Sequence, residues 1–384
     1  MKKINLLYIQ PYASKVGGVD SVLLQLIEGI DKEKFNIYVV LPAYSPYVER
    51  YENLGAKVII ETLAVFGKPT SWNYYFKNFF NLLISMYRLR KIIKKYNINL
   101  IHSHKMEVMG ANILGKMLGI PTVQTVHELP RRPLIAYKFV GFLNHLFNDK
   151  VIVLCDRSKT MLEWGRFKSN KVQKIYNGIK VVENNQSSLN LRRELNLDED
   201  AKLVVAVARL SPMKGIDYLI QAASQVKQVN TNIKFIIVGD VAFDHEKEYK
   251  QKLIDLTKKN NLEDTVFFLG LRRDVPDILE QADVFVLPSV YDIFPTVILE
   301  AMSKSLPVIA TDVGGVPEMV REDSGIIVEP MNVRQLAQSI VDIFKMDYKK
   351  MGANGKKILE NEFTQEIYVR NTVKVYESLL KLKG

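Results

Sequence analysis

Apolar runs of four to six residues alternate along this chain with longer segments whose apolar positions recur every three to four residues. The first set is Ile4–Ile9, Asn36–Leu41, Lys57–Glu61, Leu100–Ser103, Thr122–His127 and Lys150–Leu154. After Asn177 the alternation restarts with Leu203–Ala208, Lys234–Gly239, Val266–Leu269, Val284–Leu287, Val308–Thr311 and Gly325–Val328. Strands that read as nearly continuous apolar runs are covered on both faces, as in parallel sheets joined by crossover helices. The pattern therefore predicts an α/β fold of two doubly wound parallel sheets. The polar stretch Lys180–Leu189 suits a linker, which sets the expected domains at 1–183 and 184–362, with a last helical segment at 363–384.

Length agrees with two domains, since 384 residues can build two separate cores. The single cysteine, Cys155, excludes an internal disulfide and fits a reducing cytosol. The opening run Met1–Gln10 is broken by Asn5 and Gln10 and lacks a cleavage pattern, so it reads as the first strand and not as a signal peptide. No window supplies the roughly 20 apolar residues of a membrane span.

Charge changes the picture of the first half. Residues 1–183 hold 27 Lys and Arg against 13 Asp and Glu, whereas the remainder holds 26 against 29. Such asymmetry suits an anionic partner of the first half. Nucleic acid is set aside, because no recognition helix, zinc-ligand spacing or aromatic RNA-binding strand accompanies the charge. Trp72 to Tyr96 concentrates aromatics and six basic residues without one acid, the make-up of a helix facing an anionic membrane surface. For Tyr87–Tyr96 burial of the apolar face in the domain core is the expected role, and for Trp72–Phe80 lipid contact and core burial stay open.

The densest chemistry lies in Pro288–Met302. Asp292 and Glu300 stand eight positions apart across a turn that follows an apolar strand and enters a helix at Thr296. Unpaired N–H groups of such a first turn, at the carboxyl end of a parallel strand, bind phosphate. Glu300, about one helical turn further on, can accept hydrogen bonds from a ribose diol, and Asp292 from a sugar hydroxyl. The carboxylates for hydroxyls and the N–H groups for phosphate together describe a nucleotide-sugar site. Arg209 and Lys214 follow the first strand of the second half.

The segment resembles the E-x7-E signature of the retaining family-four glycosyltransferases of the GT-B fold, with Asp292 in place of the usual first glutamate. Gly17-Gly18-Val19, Thr125-Val-His127-Glu128, Tyr176-Asn-Gly178, Ala208-Arg209 through Lys214-Gly-Ile-Asp217, Val238-Gly239-Asp240, Phe268-Leu-Gly270 and Val313-Gly-Gly-Val-Pro-Glu318 match in order over nearly the whole chain. The resemblance implies two Rossmann-like domains facing across a cleft, with the last helix crossing back to the first. It implies a donor site of Gly17, Gly18, Arg209, Lys214, Gly239, the backbone near Arg272, Asp292, Phe294, Thr296, Val297 and Glu300. The catalytic set would be His127, Arg209, Lys214 and Asp292, with His127 beside the donor sugar, and His104 and Glu128 would lie on the acceptor side. Gly314-Gly315 with Glu318 would either shape the donor pocket or cap a helix.

His102-Ser103-His104 lacks a third ligand for a metal and is expected as a polar wall. Asp198-Glu-Asp200, the one Asp-x-Asp spelling, sits in a hydrophilic turn before a strand. The expected enzyme is a metal-independent transferase without cofactor. It would move a hexosyl or N-acetylhexosaminyl group from a nucleotide-sugar, UDP foremost, to a glycan or lipid-linked acceptor in bacterial surface polysaccharide synthesis. It would be cytoplasmic and peripheral on the inner membrane face. An epimerase-like relative and a non-catalytic sugar- or lipid-binding relative remain as alternatives.

Overall fold

The computed structural model describes residues 3–13, 18–66, 72–130, 134–160, 162, 170–181 and 189–381. Gly17 and most of the expected linker, residues 182–188, lie outside these. The chain divides into two compact units, Met1–Lys180 with Gln365–Gly384, and Val181–Thr364.

The strands of the first unit are β1 (Ile4–Ile9), β2 (Phe35–Leu41), β3 (Lys57–Ile60), β4 (Leu100–His104), β5 (Thr122–Val126), β6 (Lys150–Val153) and β7 (Val172–Lys174). They form one parallel sheet of order β3-β2-β1-β4-β5-β6-β7. Every residue of β4 and β5 is buried, the polar His102, His104, Gln124 and Thr125 included, as in a parallel sheet covered on both faces. Strand β7 was not foreseen: Val-Gln-Lys is three residues long, polar and at the sheet edge, so no apolar run announces it. The helix Gln365–Lys381 belongs to this unit, where Val369, Tyr376 and Leu379 join Leu23 and Ile27 in one core.

The second unit holds β8 (Lys202–Val207), β9 (Ile233–Val238), β10 (Val266–Gly270), β11 (Val284–Leu287), β12 (Val308–Thr311) and β13 (Gly325–Val328). Their order is β10-β9-β8-β11-β12-β13, again all parallel. The core of this unit packs Val204, Phe235, Val286 and Ile309 against Ile220, Ala223, Leu336 and Ile340 of two flanking helices.

Each sheet reverses its winding once. Strand β1 sits between β2 and β4, and β8 between β9 and β11, so connections leave in opposite directions from these two strands. A crevice opens at the carboxyl ends of strands at such a switch point, where open α/β sheets take their ligands.

Candidate active site

In the second unit the switch point carries the expected donor residues. Arg209 and Lys214 follow β8, and Asp292 follows β11, its sheet neighbour. Lys214 ends the short turn Pro212–Lys214 and passes to Gly215 at φ +65°. A methyl group on Gly215 would meet the carbonyl oxygen of Pro288 at 2.0 Å, so this close approach requires glycine. The carbonyl of Met213 accepts from the N–H groups of Val290 (2.9 Å) and Tyr291 (3.2 Å). These contacts join the loops after β8 and β11 and bring Lys214 Nζ to 2.5 Å from Asp292 Oδ2. Asp292 also accepts from Ser289 Oγ (3.5 Å) and from the N–H of Ile293 (3.0 Å). The Gly-Gly motif supports the same loop. At Gly314, φ is +50° and a methyl group would sit 2.3 Å from the carbonyl oxygen of Asp292, while Gly315 N–H donates to Ile293 (2.7 Å). The motif also stands at a helix start, with Gly315 as the N-cap of Val316–Met319, so both of its expected roles stay open.

Arg209 approaches Glu246 at 3.4 Å and stands 5.5 Å from the ring centre of Phe243. Glu246 is itself buried and accepts from the N–H groups of Ala242 and Phe243. Both cations of the site thus rest against carboxylates. The helix Thr296–Ser303 begins after Pro295 with no side chain capping it, which leaves its first N–H groups, those of Thr296 and Val297 among them, for another acceptor. Glu300 lies on this helix, and its carboxylate has no partner among the described residues. Burial pushes its pKa up from 4.5 to about 7.

Three expected donor positions also have a local structural role. The Phe294 ring is buried 5.9 Å from that of Phe363, so only its backbone can face a ligand. Arg272 is held by Asp274 (2.6 Å) and Glu194 (2.6 Å), the first of which chiefly pushes its pKa up, and this commits the guanidinium to structure. Gly239 has a structural reason: at φ +130° it passes so close to Ala208 that a methyl group would lie 2.0 Å from its carbonyl oxygen.

In the first unit His127 follows β5 and is buried, with Nε2 3.0 Å from His104 Nδ1. His104 stacks on His102, with ring centres 4.6 Å apart. His102 spends both nitrogens, Nδ1 with the Tyr376 hydroxyl (2.6 Å) and Nε2 with Thr125 Oγ1 (2.7 Å). The histidine pair, expected as a polar wall, is buried in a stacked and hydrogen-bonded column, and His102 has no nitrogen left for a metal. His104 lies one ring behind His127, and its Nε2 is buried without a partner. Burial pushes the His127 ring well below its ordinary pKa and takes His104 to about 3, so both are neutral at physiological pH. Glu128 accepts from the N–H groups of His127 (2.8 Å) and Met106 (3.4 Å) through one oxygen. Its other oxygen is buried without a partner, and desolvation raises its pKa to about 7. Gly18 opens the helix Gly18–Gly29 at the end of β1. A methyl group there would touch nothing, so neither packing nor positive φ accounts for this glycine.

Glu246 and Tyr376 lie outside every motif of the sequence, and Ser289 and Thr125, though inside two of them, had no role assigned. Tyr376 stands 274 positions from His102, and no local pattern marks it. Among the described residues, no three His, Cys, Asp or Glu side chains are grouped to hold a metal ion.

Residues 16–183 match the profile of Glycosyltransferase Family 4, and residues 187–358 that of Glycosyl transferases group 1. An uncharacterized glycosyltransferase of Methanocaldococcus jannaschii is 27% identical over 96% of both chains. The UDP-Gal:alpha-D-GlcNAc-diphosphoundecaprenol alpha-1,3-galactosyltransferase of Escherichia coli is 27% identical over 89% of this chain and 88% of its own. Among solved structures, Anabaena HepE in complex with UDP-glucose superposes with a TM-score of 0.82 at 22% identity, covering 98% of this chain and all of that one.

Proposed function

This chain belongs to the glycosyltransferases, its first half to Glycosyltransferase Family 4 and its second to the group 1 glycosyl transferases, and on that premise we propose the reaction it performs. It moves a hexosyl or N-acetylhexosaminyl group from a UDP-sugar to a glycan or lipid-linked glycan, with retention of anomeric configuration and without a metal ion. The observation that carries this reading is the switch point of the second sheet, where Arg209, Lys214, Asp292 and the uncapped helix start at Thr296 follow adjacent strands. The relative from Escherichia coli, whose name specifies a UDP-sugar and a lipid diphosphate acceptor, supports the same substrate classes.

Each residue has a role that its surroundings allow. Glu300, desolvated and without a partner among the described residues, accepts the ribose hydroxyls; ionised acceptors bond hydroxyls about twice as strongly as neutral ones. The N–H groups at Thr296 and Val297 take the phosphates. Arg209 and Lys214 leave Glu246 and Asp292 for the diphosphate, whose negative charge grows as the sugar departs. Asp292, freed from Lys214, accepts from a hydroxyl of the transferred sugar. Being one methylene shorter than glutamate, it selects a different hydroxyl pattern from that of the usual residue.

On the first unit, His127 is a neutral hydrogen-bonding group and not a cation, because its ring is buried and coupled to neutral His104. It contacts the sugar. Glu128, poised near neutrality and with one oxygen free, orients the acceptor hydroxyl. A thermal-shift screen over nucleotide-sugars tests the donor assignment. UDP and one or more UDP-sugars should stabilise the chain, and Arg209→Ala should cut the shift. Stabilisation by a guanosine or adenosine diphosphate sugar alone would reject UDP.

A further inference from the structure

The first unit carries an apolar surface that the proposed reaction leaves unused. On the helix Tyr74–Lys95, the second half turns inward as expected: Leu89, Ile92 and Ile93 pack in the core with Leu7 and Ile101. The first half does the opposite. Trp72 is 96% exposed, Phe76 70% and Phe80 50%, and Leu83 and Tyr87 continue the same exposed face. The ring of Phe80 packs edge-on against two rings of its own helix, Phe76 at 5.0 Å and Phe79 at 6.2 Å, and Phe79 is exposed as well. The helix Leu134–Phe147 repeats the pattern with Ile135, Phe139, Phe142 and Leu146, all exposed at intervals of four, three and four.

The helix Gly110–Leu118 touches both of these helices and lies between them. Each of the three leads by its C-terminal end into the start of the following parallel strand. Their first turns therefore gather at the carboxyl edge of the sheet, the edge that carries His127 and Glu128. Monomeric soluble proteins rarely expose apolar stripes this continuous.

Charge decides what covers them. No acidic residue occurs between Glu61 and Glu107, nor between Glu128 and Asp149. Lys91 and Lys94 extend the Phe76–Tyr87 face by one and two turns, and Lys91 Nζ sits 4.4 Å from the centre of the Tyr87 ring. A second copy of this chain would set lysine against lysine, whereas anionic headgroups satisfy them and acyl chains take the aromatics.

We propose that this two-helix face seats on an anionic lipid bilayer, with Phe76, Phe80, Phe139 and Phe142 entering the headgroup boundary and Lys91 and Lys94 on lipid phosphates. The surface deepens the functional reading by presenting a lipid-borne acceptor to the His127 edge, and it rests on that reading for this purpose alone.

Sedimentation of the full chain with vesicles, which needs no turnover, tests it. Phosphatidylcholine vesicles with about one-third phosphatidylglycerol should bind the chain, and pure phosphatidylcholine should not. Each lysine near the surface contributes about fivefold to the partition, so Lys91→Glu with Lys94→Glu should weaken it more than twentyfold, roughly. High salt should weaken it as well. Phe76→Ser with Phe139→Ser should also release the chain while leaving the UDP-induced thermal shift intact, which shows that the variant is folded. Equal recovery on neutral and anionic vesicles, or none on either, overturns the proposal. So does a dimer in light scattering that the Phe variant disperses without any vesicle binding. Vesicle binding without transfer upholds the surface and counts against the function alone.

Discussion

Replacing Glu300 by glutamine should stabilise the protein and weaken nucleotide binding at the same time. The carboxylate has no partner among the described residues, and desolvation moves its pKa from 4.5 to about 7. A group whose folded pKa is raised prefers its proton in the fold. Its ionisation therefore costs nothing at low pH, and the cost accrues as pH rises from the unfolded value through the folded one. At about 1.36 kcal/mol per pH unit, a shift of this size costs roughly 3 kcal/mol above pH 7 at full burial, and about 1–3 kcal/mol for a carboxylate that keeps some water. Glutamine has the same shape and no charge to bury.

Glu300→Gln should therefore raise the melting temperature at pH 8 by about 2–4 °C per kcal/mol recovered, for a unit of this size. The gain should mostly vanish by pH 5, where the wild-type carboxyl is protonated. The relevant transition is the one that added UDP shifts. UDP affinity should fall in the variant by about tenfold or more at pH 8, the worth of charge-assisted hydrogen bonds to a diol. A variant that is less stable than wild type at pH 8, or that binds UDP unchanged, would refute the role of an unpaired carboxylate held for the ribose.

Arg209→Ala and Lys214→Ala should each lower kcat by roughly 10²–10³ with a smaller change in donor KM, as loss of a transition-state cation does, whereas Glu300→Ala should act mainly on KM; equal effects on both parameters in all three would undo the division of roles. Gly314→Ala forces a side chain to φ +50° and into the carbonyl of Asp292, so it should cost about 2–4 kcal/mol in stability and displace the Asp292 loop, read as lost transfer with UDP binding retained. Transfer should continue undiminished in EDTA, because the cations at the diphosphate are side chains; activity abolished by EDTA and restored by Mg²⁺ or Mn²⁺ would contradict that.

Much of this structure is legible in the sequence, for a physical reason. Buried parallel strands are rich in apolar residues, and twelve such segments locate twelve strands within a residue or so of their ends, while polar β7 at an edge obeys no such rule. The positions of Arg209, Lys214 and Asp292 just beyond strand ends at the switch point were legible because strand ends are. Their partners were not. Glu246 lies on a short turn after β9, and Tyr376 reaches His102 from the last helix; such contacts depend on packing that no spacing encodes. His104 illustrates the limit well. Alternation in β4 puts His102 and His104 on one face, but the sequence does not say that this face is covered and the column buried.

The account centres on one act, retention of configuration at a sugar leaving UDP with Arg209 on the diphosphate. Proton NMR of the product formed from an α-linked UDP-sugar and a diphosphate-linked lipid acceptor tests it directly, with wild type and Arg209→Ala side by side. The account predicts an α-anomeric doublet growing from the first turnovers in the wild type and nearly absent in the variant. A β-anomer, equal rates in the two proteins, or a donor that binds and stays intact would contradict it.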